Sequence, residues 1–118
     1  MGAFSQRIEL ATGIQGPFVA IEALVDTGAT YTFVPGSILR GLGVLPTQQR
    51  DFEVADGRVK RYDLADVAVR LNGEVHPTLV VFGDEGARPL LGVVTLETFG
   101  LGVDPVSRRL VPMRGLLL

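Results

Sequence analysis

Apolar and polar positions along this chain fall into short alternating or clustered runs broken by Gly, Pro and Asn, the spacing of strands rather than long helices. Phe4-Ser5-Gln6-Arg7-Ile8-Glu9-Leu10 alternates, as a half-exposed strand does. Phe18 to Val25 is largely apolar and predicts a strand entering a core. Thr32-Phe33-Val34 predicts a short strand stopped by Pro35-Gly36. Ser37 to Gly43 predicts one or two helical turns, with Ser37 near the N-cap and Gly43 near the end.

Arg50 to Leu64 predicts a mostly polar hairpin with Asp56-Gly57 at its tip, the favoured type I′ pair. A two-residue loop sets Arg50 against Asp63, Glu53 against Lys60 and Val54 against Val59, and both charged pairs are of opposite sign. Leu64 to Leu71 and Glu74 to Phe82 predict a second hairpin across Asn72-Gly73. Gly83 to Arg88 is a polar loop. In the helical segment after Gly92, Leu96 and Phe99 share a face and Gly100 sits at the C-cap. Leu101 to Asp104 and Arg109 to Pro112 flank the turn Pro105-Val106-Ser107-Arg108. The pattern predicts a closed all-β fold with one or two short helices. No linker divides it, so residues 1–118 form one domain.

Composition narrows the function. Apolar residues make up 47% of the chain, which excludes a disordered segment. The formal charge is −2, and Arg58-Val59-Lys60-Arg61 is the longest basic run, too little for nucleic-acid binding. Without cysteine there is no disulfide framework and no thiol nucleophile. His76, the single histidine, stands beside Pro77 and reads as a surface loop residue; no Cys/His cluster points to a metal. No run is long and apolar enough to span a bilayer, and the first residues lack a signal-peptide apolar region and, with Gln6, a myristoylation signal. A cytoplasmic protein without a membrane partner is expected. Arginine dominates the basic residues, with Lys60 the one lysine, which points to a GC-rich genome and so to a bacterial stand-alone protein.

The candidate chemistry lies in Leu24-Val25-Asp26-Thr27-Gly28-Ala29-Thr30. An acid at the end of an apolar strand is costly unless partnered. Gly28 admits a tight bend, and the peptide N–H groups that follow can bind the carboxylate. The second pattern is Pro89-Leu90-Leu91-Gly92-Val93-Val94 running into the helical segment. One reading is a small β domain with an ordinary Asx turn at Asp26 and a buried strand end at Gly92.

Taken together, the two patterns resemble the retropepsin-like aspartic protease family, from about Phe18 to Pro112. The order matches: acid loop, flap hairpin, apolar-apolar-Gly, helix, final strands. The resemblance implies that Asp26 is the catalytic acid, supported by Thr27, Gly28 and Ala29. It implies that Thr27 links two acid loops across a dimer axis. Asp56, Gly57, Val59 and Tyr62 become the flap over the substrate. Apolar Val25, Leu90, Gly92 and Val94 are substrate-pocket candidates. No metal or cofactor is implied. Aspartic proteases need two carboxylates sharing a proton, and the chain has a single apolar-apolar-Asp-Thr-Gly, so the second acid is expected from another copy. A homodimer acting on peptide or protein substrates follows, with Leu116 to Leu118 at its interface. Two departures stand out. Retroviral members pair an Asp two residues beyond the loop Gly with an Arg after apolar-apolar-Gly; here these positions are Thr30 and Val93. The flap tip also lacks the retroviral run of glycines. Two competing functions remain open: a non-catalytic dimerisation or peptide-binding module with this fold, and a subunit that needs a partner or precursor.

Overall fold

Nine strands and two short helices form among residues 3–114, the part of the chain that the computed structural model describes. They are β1 (Phe4–Ala11), β2 (Val19–Val25), β3 (Thr32–Pro35), α1 (Gly36–Gly41), β4 (Gln48–Glu53), β5 (Val59–Leu71), β6 (Glu74–Gly83), β7 (Leu90–Leu91), α2 (Val93–Thr98), β8 (Leu101–Asp104) and β9 (Arg109–Pro112). The fold is all-β, as the short runs predict. The main sheet runs β1-β2-β7-β3-β6-β5-β4, and β1 also pairs with β5 through Glu9↔Arg70, Leu10↔Val69 and Ala11↔Ala68. That extra pairing closes six strands into a barrel and leaves β4 outside it, paired with β5 alone. Closure removes exposed strand edges from the six. β8 and β9 form a separate two-stranded ribbon.

Inward positions of the barrel supply the core. Ile8, Leu10, Val34, Val67, Val69 and Leu91 are almost wholly buried, and Leu96 of α2 and Phe99 at its C-cap pack onto them. Each buried side chain of this size contributes about 1.5–3 kcal/mol relative to exposure. The Leu96 and Phe99 spacing thus marks the core side of this segment; Phe99, not Gly100, is the C-cap of α2, and Gly100 follows it with a positive φ of 66°.

Both predicted hairpins form, but one has a different register. Asn72 and Gly73 have φ of 51° and 82°, so the β5–β6 turn is the expected two-residue type with Leu71 opposite Glu74. The β4–β5 turn is one residue longer. Val54 N donates to Arg58 O and Gly57 N to Val54 O, and of Asp56 and Gly57 only Gly57 has a positive φ. This is a turn plus bulge around Ala55-Asp56-Gly57. Arg50 therefore faces Tyr62, Phe52 faces Lys60 and Glu53 faces Val59. The expected Arg50–Asp63 and Glu53–Lys60 pairs do not form. In the observed register Phe52, Val54 and Tyr62 share one face; in the expected one Tyr62 would lie on the face opposite Phe52. A one-residue slip exchanges faces, and burial of the aromatic face decides.

Two smaller expectations also change, and a third is untested. Ser37 does not cap α1, which starts at Gly36 with Pro35 at its N-cap; its hydroxyl and N–H instead donate to Glu85. His76 is not in a loop: it lies in β6, its ring 4.8 Å from that of Phe99 and its Nε2 2.9 Å from Glu74. Leu116 to Leu118 lie outside the described residues. Among those residues no helix is long and apolar enough to cross a membrane.

Candidate active site

The apolar end of β2 delivers Asp26 to a seat built by β7. β7 is only Leu90-Leu91, yet it separates β2 from β3: Leu24↔Leu90 and Val25↔Leu91 pair in parallel, and Phe33↔Leu90 antiparallel. Asp26 N donates to Leu91 O at 3.2 Å. The turn then folds on itself, with Ala29 N on Asp26 O at 3.0 Å and Gly28 N on Asp26 Oδ1 at 2.9 Å. The half-buried carboxylate thus has a fixed backbone donor and an accessible remainder.

Gly92 explains the apolar-apolar-Gly pattern. A Cβ there would lie 2.5 Å from the carbonyl carbon of Tyr31 and 2.9 Å from Thr30 O, both backbone, so only glycine lets α2 approach the acid loop. The approach is sealed by Val93 N on Ala29 O and Val94 N on Thr30 O, both 2.9 Å. Thr30 and Val93, the positions that lack the retroviral ion pair, each take part in one of these bonds, so backbone contacts join the same segments without it.

Behind the loop lies a buried hydroxyl cluster. Thr32 Oγ1 and Thr95 Oγ1 are 2.5 Å apart, Thr78 Oγ1 is 3.1 Å from Thr95 Oγ1, and Gly92 N donates to Thr32 Oγ1 at 3.1 Å. All three threonines are buried and partnered, so β3, β6 and α2 are joined by polar contacts beneath Asp26.

A cleft of about 310 Å³ separates the acid loop from the β4–β5 hairpin. Ala29, Tyr31, Phe33, Phe52, Tyr62 and Leu90 are among its lining residues. Its aromatic rings form a chain from floor to roof: Tyr31–Phe52 at 5.9 Å, Phe52–Tyr62 at 5.8 Å and Phe33–Tyr62 at 5.7 Å, all edge-on. Arg50 also donates to the Tyr31 hydroxyl. Sequence reasoning missed Tyr31, Phe33, Phe52 and the three threonines. The available signal was Tyr31 and Phe33 two apart just beyond the acid loop, facing the aromatic side of the hairpin.

The anticipated site residues are dispersed. Leu90 lines the cleft, Val25 is core, Gly92 lies behind the loop and half-buried Val94 is on α2. Thr27 and Gly28 are exposed and Ala29 half-buried. Asp56 and Gly57 occupy the exposed hairpin tip, Tyr62 lines the cleft, and Val59 lies on the hairpin's other face, 68% exposed. Thr27 borders a second groove of about 490 Å³, formed with Val93, Leu96, Leu101, Val103 and Met113.

Charge at the site's edge is ordered by pairing. Asp84 accepts from Lys60 at 2.6 Å and from the Tyr62 hydroxyl at 3.1 Å. The Lys60 hydrogen bond, helped by Tyr62, holds the Asp84 carboxyl below the usual carboxylate range, and the same bond holds Lys60 above its usual value. Glu85 is lowered by the Ser37 hydroxyl and N–H, and Asp51 by its bond from Arg61. Among the described residues, no three Asp, Glu or His side chains converge as metal ligands would.

Residues 11–98 match the family described as "gag-polyprotein putative aspartyl protease". That span is well over half of the chain, and the chain belongs to this retropepsin-like family. The solution structure of simian foamy virus (mac) protease has the same fold, with a TM-score of 0.60 at 20% identity over 81% of this chain and 94% of that one. No curated protein sequence matches the chain.

Proposed function

We propose that this chain is one subunit of a homodimeric aspartic endopeptidase, a single domain whose two Asp26 carboxylates, one per copy, hydrolyse peptide bonds. The observation that carries this reading is the seat of Asp26: a side chain with one oxygen bound by Gly28 N and the rest open, on a loop anchored by β7 and α2. Family membership supports the chemistry. The dimer is supported by the single acid loop per chain and by exposed Thr27 beside the apolar groove of Leu96, Leu101 and Met113, a surface that a second copy would cover.

In this mechanism two carboxylates close together cannot both ionise, so one keeps a proton. The ionised Asp26 takes a proton from a water as its oxygen attacks the scissile carbonyl carbon. The protonated Asp26 of the partner subunit donates to the carbonyl oxygen, giving a neutral gem-diol. Transfer of a proton to the amide nitrogen then breaks the C–N bond and releases amine and acid. The β4–β5 hairpin acts as the flap, with Tyr62 and Phe52 covering an extended peptide.

The test compares wild type and Asp26→Asn on a broad peptide library between about pH 4 and 7, with sedimentation to read the dimer. Cleavage by wild type alone, with both proteins folded and dimeric, is expected. Equal cleavage by both would overturn the assignment. Peptide binding without cleavage by either would favour the non-catalytic module.

A further inference from the structure

We propose that Asp84 is a positioning residue that latches the β4–β5 hairpin over the cleft through Lys60 and Tyr62. The backbone alone leaves this hairpin weakly held. β4 pairs only with β5, and the pairing of β5 with β6 begins at Leu64↔Val81, so Val59 to Asp63 extend beyond the barrel's support. Lys60 and Tyr62 lie two apart on one face of that extension. Asp84 follows Gly83, the last residue of β6, and uses a separate oxygen for each: Oδ1 for Lys60 Nζ at 2.6 Å, Oδ2 for the Tyr62 hydroxyl at 3.1 Å. The Lys60 ammonium also lies 5.1 Å from the centre of the Tyr62 ring, so the three side chains form one unit.

Its position and strength suit a latch. The Tyr62 ring lines the cleft against Phe33 and Phe52 while its hydroxyl is held outside by Asp84. A peptide that moves the ring moves the bond, which ties cleft occupancy to hairpin attachment. Lys60 and Asp84 are 50% and 52% exposed, so water competes with the pair and its hold is modest. A stronger, buried tether would keep the hairpin shut. The opposite shifts of the Asp84 and Lys60 titrations agree with the geometry.

The role of the hairpin as a flap rests on the function proposed above, but the latch can be read without turnover. Hydrogen exchange is measured on wild type, Asp84→Asn, Tyr62→Phe and Lys60→Met. The hydrogen-bonded amides of β4 and the first half of β5 should exchange about two- to fivefold faster in each variant, the range an exposed charge-assisted contact supports. Combining Asp84→Asn with Lys60→Met should add little to either alone. Amides of β6 and α2 should stay as in wild type. In cleavage assays Asp84→Asn should raise KM more than it lowers kcat, because fewer molecules hold the closed form. Unchanged hairpin exchange, or protection lost uniformly across the barrel, overturns the latch. Faster hairpin exchange in a chain that cleaves nothing keeps the latch and removes the protease.

Discussion

The acid loop and the β4–β5 hairpin face each other across one cleft, yet they are held in opposite ways. The acid loop is fixed by backbone bonds, three buried hydroxyls behind it and a glycine with no room for a side chain. The hairpin is held by edge-on aromatic contacts and half-exposed ion pairs at its rim. Rigid support under an acid and loose support over it are what a site needs when chemistry demands fixed geometry and binding demands entry. The lesson is that local stability here follows the kind of contact, backbone-borne and backed by buried hydroxyls against exposed and side-chain-borne.

The sharpest way to break the contrast is Gly92→Ala. Its Cβ would meet the Tyr31 backbone, which cannot swing aside, so a loss of about 3 kcal/mol in chemical denaturation is expected from overpacking. A fully stable variant would show that α2 is not locked to the acid loop. Next is Thr95→Val, which orphans the Thr78 hydroxyl and leaves Thr32 with only its bond from Gly92 N, while keeping the shape. Each buried unpaired group costs about 1–3 kcal/mol, and the loss should appear globally in the melting transition. Phe52→Ala should cost less, about 1 kcal/mol for two edge-on aromatic contacts, and its effect should stay in the hairpin amides. A global loss from Phe52→Ala would erase the distinction between the two regions.

The smallest effect is that of pH on the rim. Asp84, Asp51 and Glu85 titrate below their ordinary values, so their contribution is present above the unfolded carboxylate pKa and fades as pH falls through the lower folded one. Lys60 titrates above its ordinary value, so its contribution is full below the unfolded lysine pKa and is lost as pH rises through the folded one. The Lys60–Asp84 pair should therefore persist between about pH 4 and 10. Below that window the hairpin amides should lose protection before those of the acid loop. Simultaneous loss in both regions would mean that the rim pairs do not define the hairpin's hold.

The two regions also differ in how much the sequence disclosed. Leu24-Val25-Asp26-Thr27-Gly28 and Leu90-Leu91-Gly92 were legible because steric exclusion and strand burial leave an imprint on residue type. The β5–β6 turn and the β8–β9 ribbon were legible for the same local reason. The β4–β5 register was not. Opposite charges line up in either register, as Arg50 with Asp63 or Asp51 with Arg61, so charge could not choose between them. The choice came from Tyr31 and Phe33, distant in sequence, which gather Phe52 and Tyr62 onto one face. The threonine cluster was hidden similarly, because Thr32, Thr78 and Thr95 meet only once β3, β6 and α2 are assembled.

The two-residue strand β7 carries a consequence for the order in which the molecule is made. Leu90 and Leu91, which part β2 from β3, and Gly92, which admits α2, are synthesised long after Asp26. A nascent chain that ends before Pro89 already holds the acid and none of the β7 or α2 backbone partners that seat it. Pairing across such a sequence separation is slow relative to hairpin formation. The acid is thus made first and seated later, and a chain that ends before Pro89 carries Asp26 on a loop with its own turn bonds but without its β7 and α2 anchors.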